Sequence, residues 1–195
     1  MLGKETLLES IAGKNRGVLA TEQDQQAILG AIAQLEDRNP TPQPLEAGDK
    51  LQGNWRLLYT SSQELLGIDR FPLLSLGQVY QYISVADAMI YNVAEVNGLP
   101  YLEGLVSVVA RFEAVSERRV DVRFERLILG AQRLIGYRTC EDYVEQIRAG
   151  HRFTALDVRL NAQNQQGWLE ITYLDDDLRI GRGNEGNVFV LTRVR

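Results

Sequence analysis

The chain has one cysteine, one histidine and two methionines among its 195 residues. A lone Cys140 makes no intrachain disulfide, which suits a reducing compartment. A lone His151 excludes a histidine-rich metal centre, and no Gly-x-Ser-x-Gly elbow is present for serine chemistry. Lysine is scarce, with three residues among 21 basic ones, and the formal net charge is −5. No basic stripe is visible, so nucleic acid is not an expected partner, and anionic membranes gain no global attraction, only what a local patch supplies. No stretch approaches the roughly 18 apolar residues that a spanning helix requires, so any membrane contact is expected to be peripheral. The first ten residues carry two acids and no unbroken apolar run, and read as neither a signal peptide nor an acid-poor transit peptide.

What is present is an ordinary soluble balance, 45% hydrophobic and 24% charged, in a length that suits one domain. Helical periodicity is confined to the start. Leu7, Leu8 and Ile11 form a short stripe. Thr21-Glu22-Gln23-Asp24 resembles a capping box and leads into Ala27, Ile28, Ala31, Ile32 and Leu35 at helical spacing. Three of the five prolines fall in Asn39 to Pro44, a stiff connection that separates a helical segment, residues 1–50, from the rest, residues 51–195. The two are expected to form a single globular unit.

Beyond Leu51 the period becomes two. Trp55, Leu57 and Tyr59 share one face of a first strand. Strands follow at Gln78 to Val85, Met89 to Val96, around Val106 to Ala114, from Val120 to Glu125, at Leu156 to Leu160, and at Trp168 to Leu174. The last two are Leu178 to Gly181 and Val188 to Arg193, and a short helix is expected at Glu141 to Ala149. About nine short strands with hairpin-length links predict an up-and-down antiparallel barrel. Leu156 to Leu160 is expected to pair with Trp168 to Leu174 through the polar loop between them.

Several motifs read better as structure than as chemistry. Gly181 to Gly186 spells G-x-G-x-x-G, but a strand rather than a helix follows, so a hairpin turn is expected instead of a dinucleotide site. Asp175-Asp176-Asp177 lacks the partner ligands a hard cation needs and reads as a solvated turn. Gly150 before His151 suggests a helix C-cap, and nothing brings His151 to Cys140. Arg126 shares parity with Val120, Val122, Phe124 and Ile128, and Arg182 shares parity with Leu178 and Ile180. If those faces line the barrel, two guanidinium groups project inward and need an anion or carbonyl. The alternative puts Arg126 past a bulge or at the rim, paired with Glu125 or an Asp. The Leu65-to-Gly77 segment is leucine-rich and broken by Pro and Gly. It reads as a lid or membrane-contact segment through Leu65, Leu66, Phe71, Leu73, Leu74 and Leu76, or equally as a connection folded onto the core.

Gly53-Asn54-Trp55 opening the first strand, with Arg193 closing the last, resembles the lipocalin arrangement, in which the Arg lies across the Trp ring at one barrel end. Trp55 to Leu66, Pro72 to Gln81, Phe124 to Leu134 and Leu169 to Arg193 resemble the plastid lipid-associated protein family, also called fibrillins. Its signature positions here are Gly53, Trp55, Asp175, Asp177, Arg179, Gly183, Phe189 and Arg193. The resemblance implies a mainly β, lipocalin-like antiparallel barrel preceded by one or two N-terminal helices. It implies binding, transport or storage of an isoprenoid such as a quinone or carotenoid, or of an acyl lipid, at or near photosynthetic membranes. The expected ligand-lining residues are Trp55, Tyr59, Phe112, Phe124, Arg126 and Arg182. No cofactor, metal or catalytic residue is expected. A cyanobacterial member is expected, peripheral on the cytoplasmic side of the thylakoid or soluble in the cytoplasm. Two other readings stand beside this one: a scaffold on lipid globules or membrane proteins, and a lipocalin-fold isomerase or bilin lyase.

Overall fold

A computed structural model describes residues 2–67, 74–98, 103–160 and 166–195. Phe71 and Leu73 of the expected lid lie outside the described residues. Among the described residues nine strands run β1 (Gly53–Thr60), β2 (Ser75–Ser84), β3 (Met89–Asn97), β4 (Gly104–Ala114), β5 (Arg119–Ala131), β6 (Leu156–Arg159), β7 (Gln166–Leu174), β8 (Leu178–Gly183) and β9 (Val188–Arg193). The helices are α1 (Leu2–Ile11), α2 (Glu22–Glu36), α3 (Gly48–Leu51), α4 (Gln63–Leu66), α5 (Gln132–Ile135) and α6 (Cys140–Arg148).

Eight of the strands close an antiparallel barrel in the order β1-β2-β3-β4-β5-β7-β8-β9, with β9 returning to β1 and β4 joined to β5. Closure gives each of the eight strands two neighbours, while β6 lies beside β5 alone. The ninth strand departs from the sequence expectation: β6 pairs with β5, not β7. Residues 119–123 of β5 pair with β7, and Arg126 to Leu129 pair with β6, so β5 passes from one neighbour to the other as it climbs.

Two helical layers cover the barrel's outside. Helix α2 starts at a capping box, in which the Asp24 N–H donates to Thr21 Oγ1 (3.2 Å) and the Thr21 N–H donates to Asp24 Oδ2 (3.0 Å). A hydrogen bond from Lys14, followed by those from Thr21, holds the Asp24 carboxyl down at about 2. The apolar face of α2, Ile28, Ala31, Ile32 and Leu35, packs with Leu7 and Ile11 of α1 onto Tyr59, Tyr173, Leu178, Ile180, Val188 and Val190. On another flank Cys140, Tyr143, Val144 and Ile147 of α6 cover Tyr91, Val93, Leu105, Val109 and Ile128. The Pro-rich connection is tied to the barrel: Asn39 Oδ1 accepts from the Leu174 N–H at 3.0 Å, and Pro42 O accepts from Arg118 Nε at 2.8 Å.

Four register shifts interrupt the ladders among the described residues, one of them in β2 between Leu76 and Val79, and together they decide which side chains face inward. Leu57 lies opposite Leu191 and Tyr59 opposite Val190, leaving Leu58 as the extra residue in β1. Glu125 is extra in β5, where Val109 faces Arg126 and Ala110 faces Phe124, and Thr172 is extra in β7. Each added residue reverses the alternation beyond it, because side chains in a strand change face at every residue.

Candidate functional site

The barrel has two unlike ends. At the end where β1 begins and β9 finishes, Trp55 is fully buried and directly opposite Arg193. Its indole N–H donates to Leu51 O at 3.0 Å, anchoring it to the short helix α3. The Arg193 guanidinium lies 4.3 Å from the Trp55 ring centroid and donates to Asp176 O (2.9 Å), Gln52 O (2.8 Å) and Lys50 O. Gly53 adopts φ +118°, and a Cβ there would approach Arg193 Nη1 to 3.1 Å, so the glycine of Gly-x-Trp serves both the turn and the guanidinium. Together these residues form a sealed floor.

The signature acids complete that end structurally. Asp175 opens the β7–β8 turn and accepts from the N–H groups of Asp177 and Leu178, from Tyr173 Oη at 2.8 Å and from Lys4 Nζ at 2.9 Å. Burial opposes its ionisation, yet these donors together hold its carboxyl below the ordinary range. Asp177 pairs with Arg195 at 2.5 Å. The glycine-rich run ends β8 and enters a 3₁₀ turn, Asn184–Gly186, before β9, so it is a hairpin connection. A Cβ on Gly183 would come within 3.2 Å of the Phe189 ring.

One step above the floor lies a feature that strand parity does not reveal. Arg179 is 1% exposed and projects into the lumen. Its Nη2 donates to Gln81 Oε1 on β2, although β8 and β2 are separated by β9 and β1, so the contact crosses the barrel interior. Gln81 Nε2 in turn donates to Asn92 Oδ1 on β3 at 2.8 Å. The Arg179 guanidinium also faces Trp55, 5.0 Å from the ring centroid. Its Nη1 has no hydrogen-bond partner, and among the described residues no carboxylate pairs with it. Burial, and after it the nearby Arg193 charge, push Arg179 down to about 9, which still leaves it a cation at neutral pH.

Above this level the lumen is lined by side chains that keep partial solvent access: Val106, Val108, Phe124, Leu127, Leu169 and Phe189. The end where they emerge is edged with exposed leucines. Leu74 stands before β2, Leu129 near the top of β5, Leu134 on α5 and Leu156 at the start of β6, exposed by 41%, 45%, 65% and 54%. Leu129 and Leu156 are cross-strand partners, as are Leu127 and Val158. The β5–β6 wall thus presents an apolar face at the mouth. Sealed floor, buried cation and apolar rim lie along one axis.

The expected ligand-lining residues divide accordingly. Trp55, Phe112 and Phe124 belong to the interior cluster, with Phe112 opposite Val122 toward the floor. Tyr59 does not line the lumen, because the Leu58 bulge turns it outward under α1 and α2. Arg126 does not point inward either. Glu125 shifts its parity, and Arg126 pairs on the outer side with Asp157 at 2.6 and 2.7 Å while donating to His151 O at 2.7 Å. Arg182 shares its outward face with Leu178 and Ile180 and pairs with Glu36 of α2 at 2.8 and 2.9 Å. Of the expected lid, Leu65 packs against the interior cluster, Leu66 is half-buried, Leu74 is exposed and Leu76 is core. Cys140 and His151 lie at opposite ends of α6, and burial pushes the Cys140 thiol up to about 12. No nucleophile–base dyad forms there.

The Arg126–Asp157 pair yields a prediction. The hydrogen bond from Arg126 holds the Asp157 carboxyl below the usual carboxylate range. A depressed carboxyl contributes stability that is present above its unfolded pKa of about 3.9 and lost as pH falls through the folded value. Asp157→Asn is therefore expected to cost about 1–3 kcal/mol at neutral pH, since it leaves a part-buried guanidinium without its charge partner, and much less once pH falls through the depressed folded pKa. Urea unfolding across that pH range checks it, and equal costs at both ends would refute it.

An eight-stranded antiparallel barrel with a Trp–Arg floor and N-terminal helices is a lipocalin-like barrel. The chain belongs to the PAP_fibrillin family, which matches residues 1–192. It is 32% identical to a probable plastid-lipid-associated protein 2, chloroplastic, of Arabidopsis thaliana, an alignment covering 97% of this chain and 70% of the relative. It is 33% identical to a light-induced protein, chloroplastic, of Solanum tuberosum, covering 97% and 66%. It is 30% identical to a chromoplast-specific carotenoid-associated protein of Cucumis sativus, covering 97% and 67%. The chain thus spans about two thirds of the length of these relatives. No solved structure shows a significant match.

Proposed function

We propose that this protein binds and carries, or stores, one hydrophobic molecule of the isoprenoid or acyl-lipid class, and takes it up at a lipid surface. The observation that supports this most is the polarity of the barrel's axis, sealed by Trp55 and Arg193 at one end and edged by exposed Leu74, Leu129, Leu134 and Leu156 at the other. An exposed apolar rim next to a partly accessible apolar lumen is what a lipid-loading mouth requires. The relatives' names, which include lipid-associated and carotenoid-associated proteins, agree in chemical class. Their chloroplastic and chromoplastic designations favour a plastid-type or photosynthetic-membrane setting, and a cyanobacterial source belongs to the same proposal. No described helix is long and apolar enough to cross a membrane, so the rim would meet lipid from the side. The role proposed is binding, not catalysis.

Organic-solvent extraction of the purified protein, followed by mass spectrometry, tests the carrier directly: a co-purifying isoprenoid or acyl lipid is expected. The rim has its own test. Leu74→Ser, Leu129→Ser and Leu156→Ser together are expected to reduce co-sedimentation with lipid vesicles by about tenfold or more, an effect of removing three exposed apolar side chains from the lipid contact. The melting temperature should move little, because these side chains are already exposed. Vesicle binding unchanged by the triple substitution refutes the rim.

A scaffold role is the second reading, and the filled floor half of the lumen favours it: Leu57, Ile83, Ala110, Ile171 and Leu174 are all buried there. A ligand-free extract, together with no uptake of added lipid, would decide for the scaffold.

A further inference from the structure

We propose that Arg179 is the anchor for the carboxylate of a long-chain acid bound tail-up in the barrel, an inference that rests on the carrier reading. A guanidinium buried to this degree ordinarily has a carboxylate partner, since an unpaired charge in an apolar interior is strongly destabilising. Arg179 has instead one neutral amide oxygen from Gln81 and an Nη1 with no acceptor. The planar fork formed by Nη1 and Nη2 matches a carboxylate in a bidentate pairing. One carboxylate supplies the single negative charge that Arg179 lacks, since Arg193 on the other side of Trp55 already donates to backbone carbonyls.

The route to Arg179 is marked by polarity. Gln81 and Asn92 face each other across β2 and β3 as one polar rung beside the buried guanidinium, and both keep partial solvent access while facing the lumen. They are the polar steps in a wall otherwise made by Val79, Ile83, Ile90 and Ala94. An arriving carboxylate replaces Gln81 Oε1 on Nη2 and pairs with Nη1, which has no acceptor, as the apolar side chains at this level shift aside, while Gln81 retains its bond to Asn92. From Gln81 to the start of β2 at Ser75 is six residues, about 15 Å along the axis at ordinary strand rise and tilt. An extended tail of a dozen or so carbons would span that distance and end among the rim leucines.

Competition against a fluorescent polyene fatty acid, using palmitic acid, hexadecanol and hexadecane, separates the outcomes. The parent protein is expected to prefer palmitic acid over hexadecanol by about tenfold or more. Arg179→Met should abolish that preference while keeping hexadecanol affinity. Arg179→Lys, which keeps the charge but loses the fork, should retain part of it. Equal affinities for acid and alcohol in the parent, or an Arg179→Met variant that still prefers the acid, overturn the anchor and leave the carrier reading standing. Failure of all the lipids to bind overturns the carrier reading itself. A measurement on the parent protein needs no variant to fold: carboxyl-labelled palmitate followed by carbon NMR should stay ionised to lower pH when bound than in water. A bound carboxyl that titrates at or above its aqueous value refutes the pairing.

Discussion

Replacing Trp55 by alanine is expected to destabilise the protein by about 3–5 kcal/mol, the range for truncating a fully buried aromatic side chain. Trp55 is 0% exposed, and its ring is where β1, β9, α3 and two guanidinium groups converge. The substitution opens a void between Arg179 and Arg193 and leaves Leu51 O without its indole donor. A double-mutant cycle with Arg193→Met should return a coupling of about 0.5–2 kcal/mol, the worth of a cation–π contact partly withdrawn from water. Urea unfolding followed by fluorescence or circular dichroism reads both quantities. A cost for Trp55→Ala below about 1 kcal/mol would mean that the floor is not part of the core.

Deleting residues 1–38 is expected to abolish stable folding, an effect larger still. That deletion removes α1 and α2 and exposes Tyr59, Tyr173, Leu178, Ile180, Val188 and Val190, each now 6% exposed or less. At about 1.5–3 kcal/mol per buried side chain, uncovering these six costs on the order of 10 kcal/mol, as much as the whole stability of a typical domain. Two tethers leave with the helices, Lys4 to Asp175 and Glu36 to Arg182. The deleted chain should be insoluble or show a collapsed, non-cooperative transition. A soluble truncation that unfolds cooperatively at the parent's denaturant midpoint would show that the barrel is an independent domain.

Arg179 changes how any stability series on this protein should be read. Truncation of a charged side chain is usually destabilising when it breaks a pair, but among the described residues Arg179 has no carboxylate pair to break. Arg179→Met in the unliganded protein is therefore expected to be neutral or stabilising, since it removes the desolvation cost of a lone cation. Thermal melts of both proteins, with and without palmitic acid, check this. The ligand should raise the melting temperature of the parent more than that of the variant.

Much of this architecture is legible along the chain. The period of two beyond Leu51 and the short links between strands predict a barrel, and the lipocalin resemblance carried by Gly53-x-Trp55 and Arg193 implies its capped end. The capping box at Thr21 and the apolar spacing of Ile28, Ala31, Ile32 and Leu35 define α2, and Gly150 marks the end of α6, where it adopts φ +78°. Such features are local. A cap, a turn or an amphipathic stripe is specified by residues within a few positions of one another, so the sequence alone determined them.

Which residues look into the lumen is different in kind. Counting by two puts Tyr59, Arg126 and Arg182 inside, but Leu58 and Glu125 are bulge residues, and only the register of the neighbouring strand reveals them. Arg182 follows the alternation faithfully. Its face, with Leu178 and Ile180, is apolar because α1 and α2 cover it, not because it lines the barrel. A strand covered on both sides is hydrophobic on both sides, so its pattern cannot say which face is the interior. Arg179 therefore shows no signal in the sequence beyond its place among the family's signature positions. The sequence by itself determined the strands of the barrel and the helices that cover it. The tertiary structure decided the register, the pairing of β6 with β5 and the placement of one unpaired cation in the lumen, because those depend on contacts between residues tens of positions apart.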